Sequence, residues 1–124
     1  MDVSKQKARS RQLALEVLRL VDNLNTTRSN IIISNQLGRS ATGMAANYRA
    51  CCKARSYKEF VSKMGVVVEE ADETCFWLDL LSENYPENKK IEYLKREANE
   101  LASMFSTALK TARKNLQSRN NTEQ

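Results

Sequence analysis

The fold of this chain is decided by residues 34–81, which read SNQLGRSATGMAANYRACCKARSYKEFVSKMGVVVEEADETCFWLDLL. The stretch contains no proline and divides by charge: it has no acidic residue up to Arg55 and many beyond Ser56. Apolar residues recur every three or four positions on both sides of the division, which is the spacing of amphipathic helices. Ser56 and Glu59 have the spacing of a capping box, in which the hydroxyl accepts from the Glu59 amide and the carboxylate reaches back. The stretch therefore predicts two antiparallel helices joined by a turn of one or two residues.

The same helical period appears four times in the chain. The four apolar stripes are Leu13, Val17, Leu20, Val21 and Leu24; Ile33, Leu37, Ala41, Met44, Tyr48 and Cys51; Tyr57, Phe60, Met64, Val67, Val68, Ala71, Cys75 and Leu78; and Ile91, Leu94, Ala98, Leu101, Phe105, Ala108, Ala112 and Leu116. Polar breaks separate the stripes at residues 23–30 and 84–90, where Pro86 suits the first turn of a new helix. A strand over residues 30–34 is the alternative, but five residues provide no sheet partner.

Short connections force neighbouring helices to pack antiparallel. The prediction is an all-α protein, an antiparallel up-down-up-down four-helix bundle. A length of 124 residues allows one domain with one core, and three glycines and one proline leave little material for the turns of a β-protein. We expect a single domain over residues 1–124, with frayed ends at about 1–3 and 117–124.

Composition argues against several classes of protein. No apolar run approaches the ~20 residues of a membrane span, so no membrane partner is expected. Charge interrupts the N-terminal segment before any apolar core of a signal peptide, which favours a cytoplasmic protein. The chain has no histidine and no C-x-x-C spacing, so Cys51, Cys52 and Cys75 are expected to be small hydrophobic residues without a metal or a disulfide.

An enzyme is not expected either. The three glycines are isolated, so neither a phosphate-binding loop nor a nucleophile elbow is present. Acidic residues at 69, 70, 72 and 73 could in principle bind Mg²⁺, but they are too scattered around one helix for a metal site. We therefore predict no catalytic residue, no metal and no cofactor.

Basic residues collect at one end of the predicted bundle. In an up-down bundle the start of helix one, the connection between helices two and three, and the end of helix four share a pole. We call basic pole the candidate nucleic-acid-binding set Lys5, Lys7, Arg9, Arg11, Lys53, Arg55, Arg113 and Lys114. The same end also holds Arg49, Lys58, Lys63, Lys110 and Arg119. A concentration of cations suits phosphate binding, although no aromatic interleaving accompanies it and lysine-rich helix ends also serve solubility.

Helices two and three carry opposite charge, with five basic and no acidic residues over 25–55 and two basic against eight acidic over 56–87. These residues either pair within the chain or form two solvated faces. Arg39 lies about sixteen residues before the turn, so its antiparallel counterparts are Glu69, Asp72 and Glu73. We expect an ion pair with one of them, in the same chain or across a subunit contact, and a desolvated pair would be costly to break.

Helix three has more apolar residues than one core stripe needs. Its excess, together with a companion surface on helix two, forms a candidate oligomer interface of Gln36, Gly43, Asn47, Val66, Phe76, Trp77 and Leu80. Exposed aromatic patches are avoided by monomers, so the pattern predicts self-association. The alternative is that loops or the first helix cover these groups.

The pattern also resembles a known family. The matching residues are Gln36-Leu37, Arg39-Ser40, Ala46-Asn47, Arg55-Ser56, Phe60, Glu69, Glu70, Glu73 and Trp77-Leu78. They are similar to those of the four helix bundle proteins, also called 23S rRNA intervening-sequence proteins. The resemblance implies an antiparallel bundle that forms homopentamers, and it carries no catalytic residue. It reaches the accessory variability determinant of diversity-generating retroelements, which implies possible binding to nucleic acid and to a reverse transcriptase.

Two functions follow as hypotheses. The first is an oligomeric helical scaffold whose basic pole binds RNA or DNA without strong sequence preference. The second is a protein–protein adaptor that recruits another protein. Salt dependence separates them, because phosphate binding weakens steeply as salt rises.

Overall fold

The computed structural model describes the backbone of residues 2–123 and the side chains of residues 2–121. It contains four helices, α1 (Val3–Asp22), α2 (Arg28–Cys51), α3 (Tyr57–Asn84) and α4 (Lys89–Glu123), and the described residues include no strand. Each helix packs on its neighbours in the chain, and α1 closes the bundle on α4 with the lightest contact. The all-α prediction is confirmed.

Contacts along the helices run in antiparallel order. Between α2 and α3, Ser40 meets Thr74, whereas Cys51, further along α2, meets Met64, earlier on α3. The buried hydroxyls of Ser40 and Thr74 lie 3.0 Å apart, and each is also within hydrogen-bond distance of a carbonyl of its own helix. These two hydroxyls are therefore satisfied within the core, and they set the register of α2 on α3.

All four helices begin with a polar side chain that accepts from a backbone amide of the first turn. The capping contacts, each 3.0 to 3.2 Å, are Asp2 with the Lys5 amide, Thr27 with Asn30, Ser56 with Glu59 and Asn88 with Ile91. The last of these corrects one prediction. Pro86 lies in the turn before the cap, two residues upstream of Asn88, and not in the first turn of α4.

The connection between α2 and α3 is longer than predicted and occupies residues 52–56. The amides of Lys53 and Ala54 bond carbonyls three residues earlier, so α2 tightens into turns before the chain leaves it. The capping box is also modified. The Glu59 carboxylate reaches past Ser56 and accepts from the Arg55 amide at 3.0 Å. The extra residues let the backbone of Arg55 share in the cap.

The core follows the four predicted stripes. Most of the predicted residues are buried, and the remainder, at the stripe edges and bundle ends, are half-buried. Tyr48 and Phe105 cross the core with ring centroids 4.7 Å apart, and burial raises the pKa of the Tyr48 hydroxyl. Several polar side chains that the apolar pattern cannot flag are buried as well: Gln6, Ser10, Asn30, Ser40 and Thr74. They show that hydrophobic spacing finds the core but not its hydrogen bonds.

The C-terminal segment that is expected to fray is helical over most of its length. Helix α4 continues to Glu123, and Arg119 places its guanidinium 4.2 Å from the centroid of the Tyr57 ring. Asn115 contacts the Tyr57 hydroxyl at 3.3 Å. These contacts give the last turns a partner on α3 and explain why the helix persists beyond residue 116. Of the ends predicted to fray, Met1 and Gln124 lie outside the described residues.

Two glycines inside α2 should respond differently to alanine. Alanine is the better helix former by about 0.5–1 kcal/mol, and a methyl group at Gly38 would meet only Leu18, at 3.9 Å. Gly38→Ala should therefore raise the free energy of unfolding by about that amount. A methyl group at Gly43 would overlap the Glu70 carboxylate, so Glu70 must move and lose its bond from Asn47.

Urea denaturation of the variants measures the difference. Gly43→Ala should gain less than Gly38→Ala in the native sequence and about as much in a Glu70→Ala background, where no carboxylate has to move. Equal gains in the native sequence would show that the contact between Gly43 and Glu70 has no energetic consequence.

Candidate functional site

The basic pole is assembled from three helix ends. α1 supplies Lys5, Lys7 and Arg11, the α2–α3 connection supplies Lys53 and Arg55, and α4 supplies Arg113 and Lys114. All seven side chains are exposed, and none forms an ion pair with another described residue. The pole therefore presents cations whose charge is available to an outside anion.

Arg9, the eighth predicted member, has a different role. Its guanidinium pairs with Glu97 and, at 3.1 Å, with Glu100, and it lies 3.6 Å from the Met104 sulfur. The Arg9 side chain is only 20% exposed. The hydrogen bond that Arg9 donates to the Glu97 carboxylate raises the pKa of Arg9, so this residue is held as a cation between α1 and α4. Arg9 is a structural contact and is removed from the set of available cations.

One groove at this end lies between α1 and α2 and has a volume of about 560 Å³. Its floor consists of small residues, and its cations come from both helices. The lining residues are Ser4, Lys7, Ala8, Arg11, Ala45, Ala46 and Arg49. Small side chains let Lys7, Arg11 and Arg49 approach a common ligand from both walls. The arrangement suits the phosphate backbone of a nucleic acid.

A second groove, which we call the α3–α4 groove, is apolar and has a volume of about 680 Å³. It is lined by Tyr57, Phe60, Ser103, Met104, Thr107, Ala108, Thr111 and Ala112. In the sequence no aromatic interleaving accompanies the basic residues, and Tyr57 and Phe60 fit the core stripe of α3. In the structure both rings are only half-buried. The length mismatch between α1 and α4 is the signal that could have found them.

The ion pair predicted for Arg39 forms with Glu73, at 2.7 Å. Arg39 also bonds the Gln36 side chain at 3.1 Å, so one guanidinium ties two turns of α2 to α3. Glu69 and Asp72 are exposed and form no ion pair with a described residue. The side chains of Arg39 and Glu73 are 55% and 44% exposed, so the pair is not desolvated and contributes at most about 1 kcal/mol within one chain.

The small residues of α2 face an acid of their own chain. Asn47 donates to the Glu70 carboxylate at 2.5 Å, and Gly43 leaves the space that the other carboxylate oxygen occupies. Glycine is needed at this position for close approach of a side chain from α3. Gly43 and Asn47 therefore have a role within the chain, beside any role between chains.

The predicted interface residues of α3 divide into two groups. Val66, Phe76 and Leu80 are exposed by 43%, 53% and 38%, whereas Trp77 is half-buried against the core and meets the Phe76 ring edge-on at 5.0 Å. Trp77 does not form an exposed patch by itself. Ile32 of α2 is 60% exposed, and the register of α2 on α3 places it level with Leu80. We call Ile32, Phe76, Trp77 and Leu80 the apolar patch.

Metal and thiol chemistry have little support in the part of the chain that is described. The described side chains, those of residues 2–121, include no group of three or more potential ligands placed to hold a metal ion. All three cysteines are free thiols, and burial raises the pKa of Cys51 and of Cys75 to about 11. Within the described helices, no segment is long and apolar enough to cross a membrane.

Comparisons with known proteins agree with this geometry. A family model for the 23S rRNA-intervening sequence protein matches residues 4–107. The chain is also similar to a crystal structure from Bacteroides thetaiotaomicron, of a protein of unknown function from the S23 ribosomal protein family. The two share 26% identity with a TM-score of 0.77, over 89% of this chain and 99% of the other. No curated protein matches the chain.

Substitutions of Arg9 and of Arg11 should change the free energy of unfolding by different amounts, although the two residues are close in the sequence. Arg9→Gln removes the partner of the half-buried Glu97 and should lower the free energy of unfolding by about 1–3 kcal/mol. The matched variant Arg11→Gln removes an exposed cation and should change it by less than about 0.5 kcal/mol. Urea denaturation at low and moderate salt provides the comparison. Equal losses for the two variants would contradict the structural role of Arg9.

Proposed function

The chain belongs to the 23S rRNA-intervening sequence protein family, and from that premise we propose that it is a non-enzymatic helical scaffold whose basic pole binds nucleic acid. The observation that carries the proposal is the set of seven exposed cations at one end of the bundle that have no acidic partner among the described side chains. Six of the seven acids of α3 lie at residue 69 or beyond, away from the turn at the pole, which leaves the potential at the pole positive. A polyanion is the ligand that this distribution favours.

The chemistry of the pole favours binding without strong sequence preference. Lysine and arginine neutralise phosphates and release counterions, a contribution that carries no sequence information. No helix presents a row of side chains suited to reading base edges in a groove of duplex DNA. RNA and DNA are both candidate ligands, and the resemblance to intervening-sequence proteins gives RNA a slight preference.

We also propose that the chain self-associates. The apolar patch exposes Ile32, Phe76 and Leu80 on one side of α2 and α3, where a second copy would remove them from water. The family resemblance favours a homopentamer. Rotation about an axis would repeat the basic pole and multiply weak phosphate contacts by avidity.

The second candidate function is an adaptor in the cytoplasm. The same apolar patch supports it, because a partner protein such as a reverse transcriptase, in place of a second copy, would also remove these side chains from water. Binding through the patch buries apolar surface and depends weakly on salt, whereas binding at the pole depends strongly on salt.

Charge reversal at the basic pole tests nucleic-acid binding. Replacing Lys53, Arg55 and Arg113 by Glu should weaken binding of mixed RNA and DNA oligonucleotides about equally and reduce the slope of affinity against salt. The matched control reverses three other exposed cations that lie away from the pole, Arg28, Lys89 and Arg96. Both variants change the net charge by the same amount, so only position distinguishes them.

Fluorescence anisotropy at ~50 mM and ~200 mM salt measures both effects. Equal losses in the two variants would indicate attraction by net charge alone and would contradict a localised site. If the native protein binds neither polymer at ~50 mM salt, the adaptor function replaces the proposal.

Substitution in the apolar patch tests assembly. Phe76→Glu should shift the sedimenting mass toward the monomer, because it places a charge in the centre of the expected contact. Helical content should remain, since Phe76 is exposed and Trp77 stays on the core. The control is Leu18→Glu, at an exposed leucine of α1, which should leave the mass unchanged. A monomeric native protein at micromolar concentration would refute self-association.

A further inference from the structure

We propose that the α3–α4 groove receives an unstacked base, so that the protein prefers single-stranded nucleic acid to duplex. This inference rests on the proposed nucleic-acid binding and specifies its substrate class. It assigns a role to an apolar surface at the edge of the core that is separate from the apolar patch.

The groove exists because two neighbouring helices differ in length. Helix α1 has 20 residues and α4 has 35. The contacts of Glu16 with Lys90 and of Arg9 with Met104 show that α1 and α4 are antiparallel. The start of α1 therefore lies beside the part of α4 that follows Met104. Beyond Arg9 only about two turns of α1 remain, whereas α4 continues for about five turns beyond Met104. The side of α4 that follows Met104 is therefore left without a covering helix.

The lining is suited to a flat apolar ring. Methionine and alanine side chains form the floor, and the rings of Tyr57 and Phe60, with centroids 6.0 Å apart, form one wall. Thr107 and Thr111 add hydroxyls that can bond the edge of a base. The volume of about 680 Å³ is within the range of sites for small organic groups. Among the side chains that the structure describes, none that lines the groove is acidic.

Cations surround the aromatic wall. A neighbouring groove of about 450 Å³ shares Tyr57 and Phe60 and is lined also by Arg55 and Arg119. Arg119 already stacks on the Tyr57 ring. Lys114 follows Thr111 by three residues, so it lies one turn further on the same face of α4. A base in the groove would thus have available cations at the Tyr57 end of the groove for a flanking phosphate.

The acids nearest to the groove are neutralised within the chain. Arg9 pairs with Glu97 and Glu100, and Glu59 accepts from the Arg55 amide and lies 3.8 Å from Lys63. The apolar floor from residue 104 to 112 is about 12 Å long, which suits one or two bases and is short for a docked helix. An apolar groove beside available cations is the arrangement used to bind single strands, where bases stack on aromatic rings and phosphates meet basic side chains. In a duplex the bases are paired and stacked and cannot enter.

The experiment compares a 20-nucleotide single strand with a duplex of the same sequence, in RNA and in DNA, by fluorescence anisotropy at ~50 mM salt. The native protein should bind the single strand at least roughly fivefold more tightly, the effect of stacking one base. Thr107→Trp fills the groove from an exposed position and should remove this preference while leaving duplex affinity unchanged. Ser106→Trp, at the adjacent exposed position outside the groove, should retain it. Photocrosslinking of a 5-iodouridine oligonucleotide should label Tyr57 or Phe60.

The outcomes separate this inference from the function on which it rests. Equal affinity for single strand and duplex, with salt-dependent binding intact, would overturn the base site and leave the proposed function standing. Absence of binding to both would overturn both. If Thr107→Trp changes the sedimenting mass and not the single-strand preference, the groove holds a second copy of the chain and the base site is wrong. Crosslinks confined to peptides without Tyr57 or Phe60 would also contradict it.

Discussion

The packing of α2 on α3 is the contact on which the rest of the molecule depends. Small residues let the two helices approach, and the buried hydroxyls of Ser40 and Thr74 allow only the register in which they meet. A shift of α2 along α3 by one helical turn would break the contact between the two hydroxyls. It would also move the Glu70 carboxylate away from the space at Gly43. The same register sets Arg39 opposite Glu73 and Ile32 level with Leu80. The ion pair and the apolar patch are thus consequences of one buried polar contact.

The sequence predicts the four helices and most of the core, because the apolar period is strong and each polar break contains a cap. It also predicts Arg39 beside Glu73, since antiparallel geometry relates residues at equal distance from a turn. The α2–α3 connection is harder, because a capping box marks where α3 begins and not where α2 ends. The burial of Arg9 and of Trp77 is hard to predict for a related reason. Both lie near the boundary between core and surface, where their exposure depends on how far a neighbouring helix extends.

The α3–α4 groove shows the same limit of prediction from sequence, here for residues that are more exposed than their pattern suggests. Periodicity assigns Tyr57 and Phe60 to the core, and Phe60 does pack against it, yet the core has no covering helix at that level. Whether an apolar stripe is fully buried depends on the relative lengths of the helices around it. Those lengths follow from the position of Asp2 at the start of α1 and from the contacts of Arg119 and Asn115 with Tyr57 near the end of α4. A local sequence pattern can indicate the cap at Asp2, but it does not indicate the contacts of Arg119 and Asn115 with Tyr57.

The buried amide of Asn30 has a consequence for motion. Its nitrogen donates to the Asn25 carbonyl at 2.9 Å and to the Tyr85 hydroxyl at 2.7 Å, so one side chain joins the α1–α2 loop to the α3–α4 loop. These hydrogen bonds connect the two loops at the end opposite the basic pole. At the pole, α4 extends beyond the start of α1. Local opening should therefore begin at the pole and leave the braced end closed, because the smallest cooperative units form where packing is sparse. We therefore expect one braced end and, at the basic pole, an end where the helices separate before the domain unfolds.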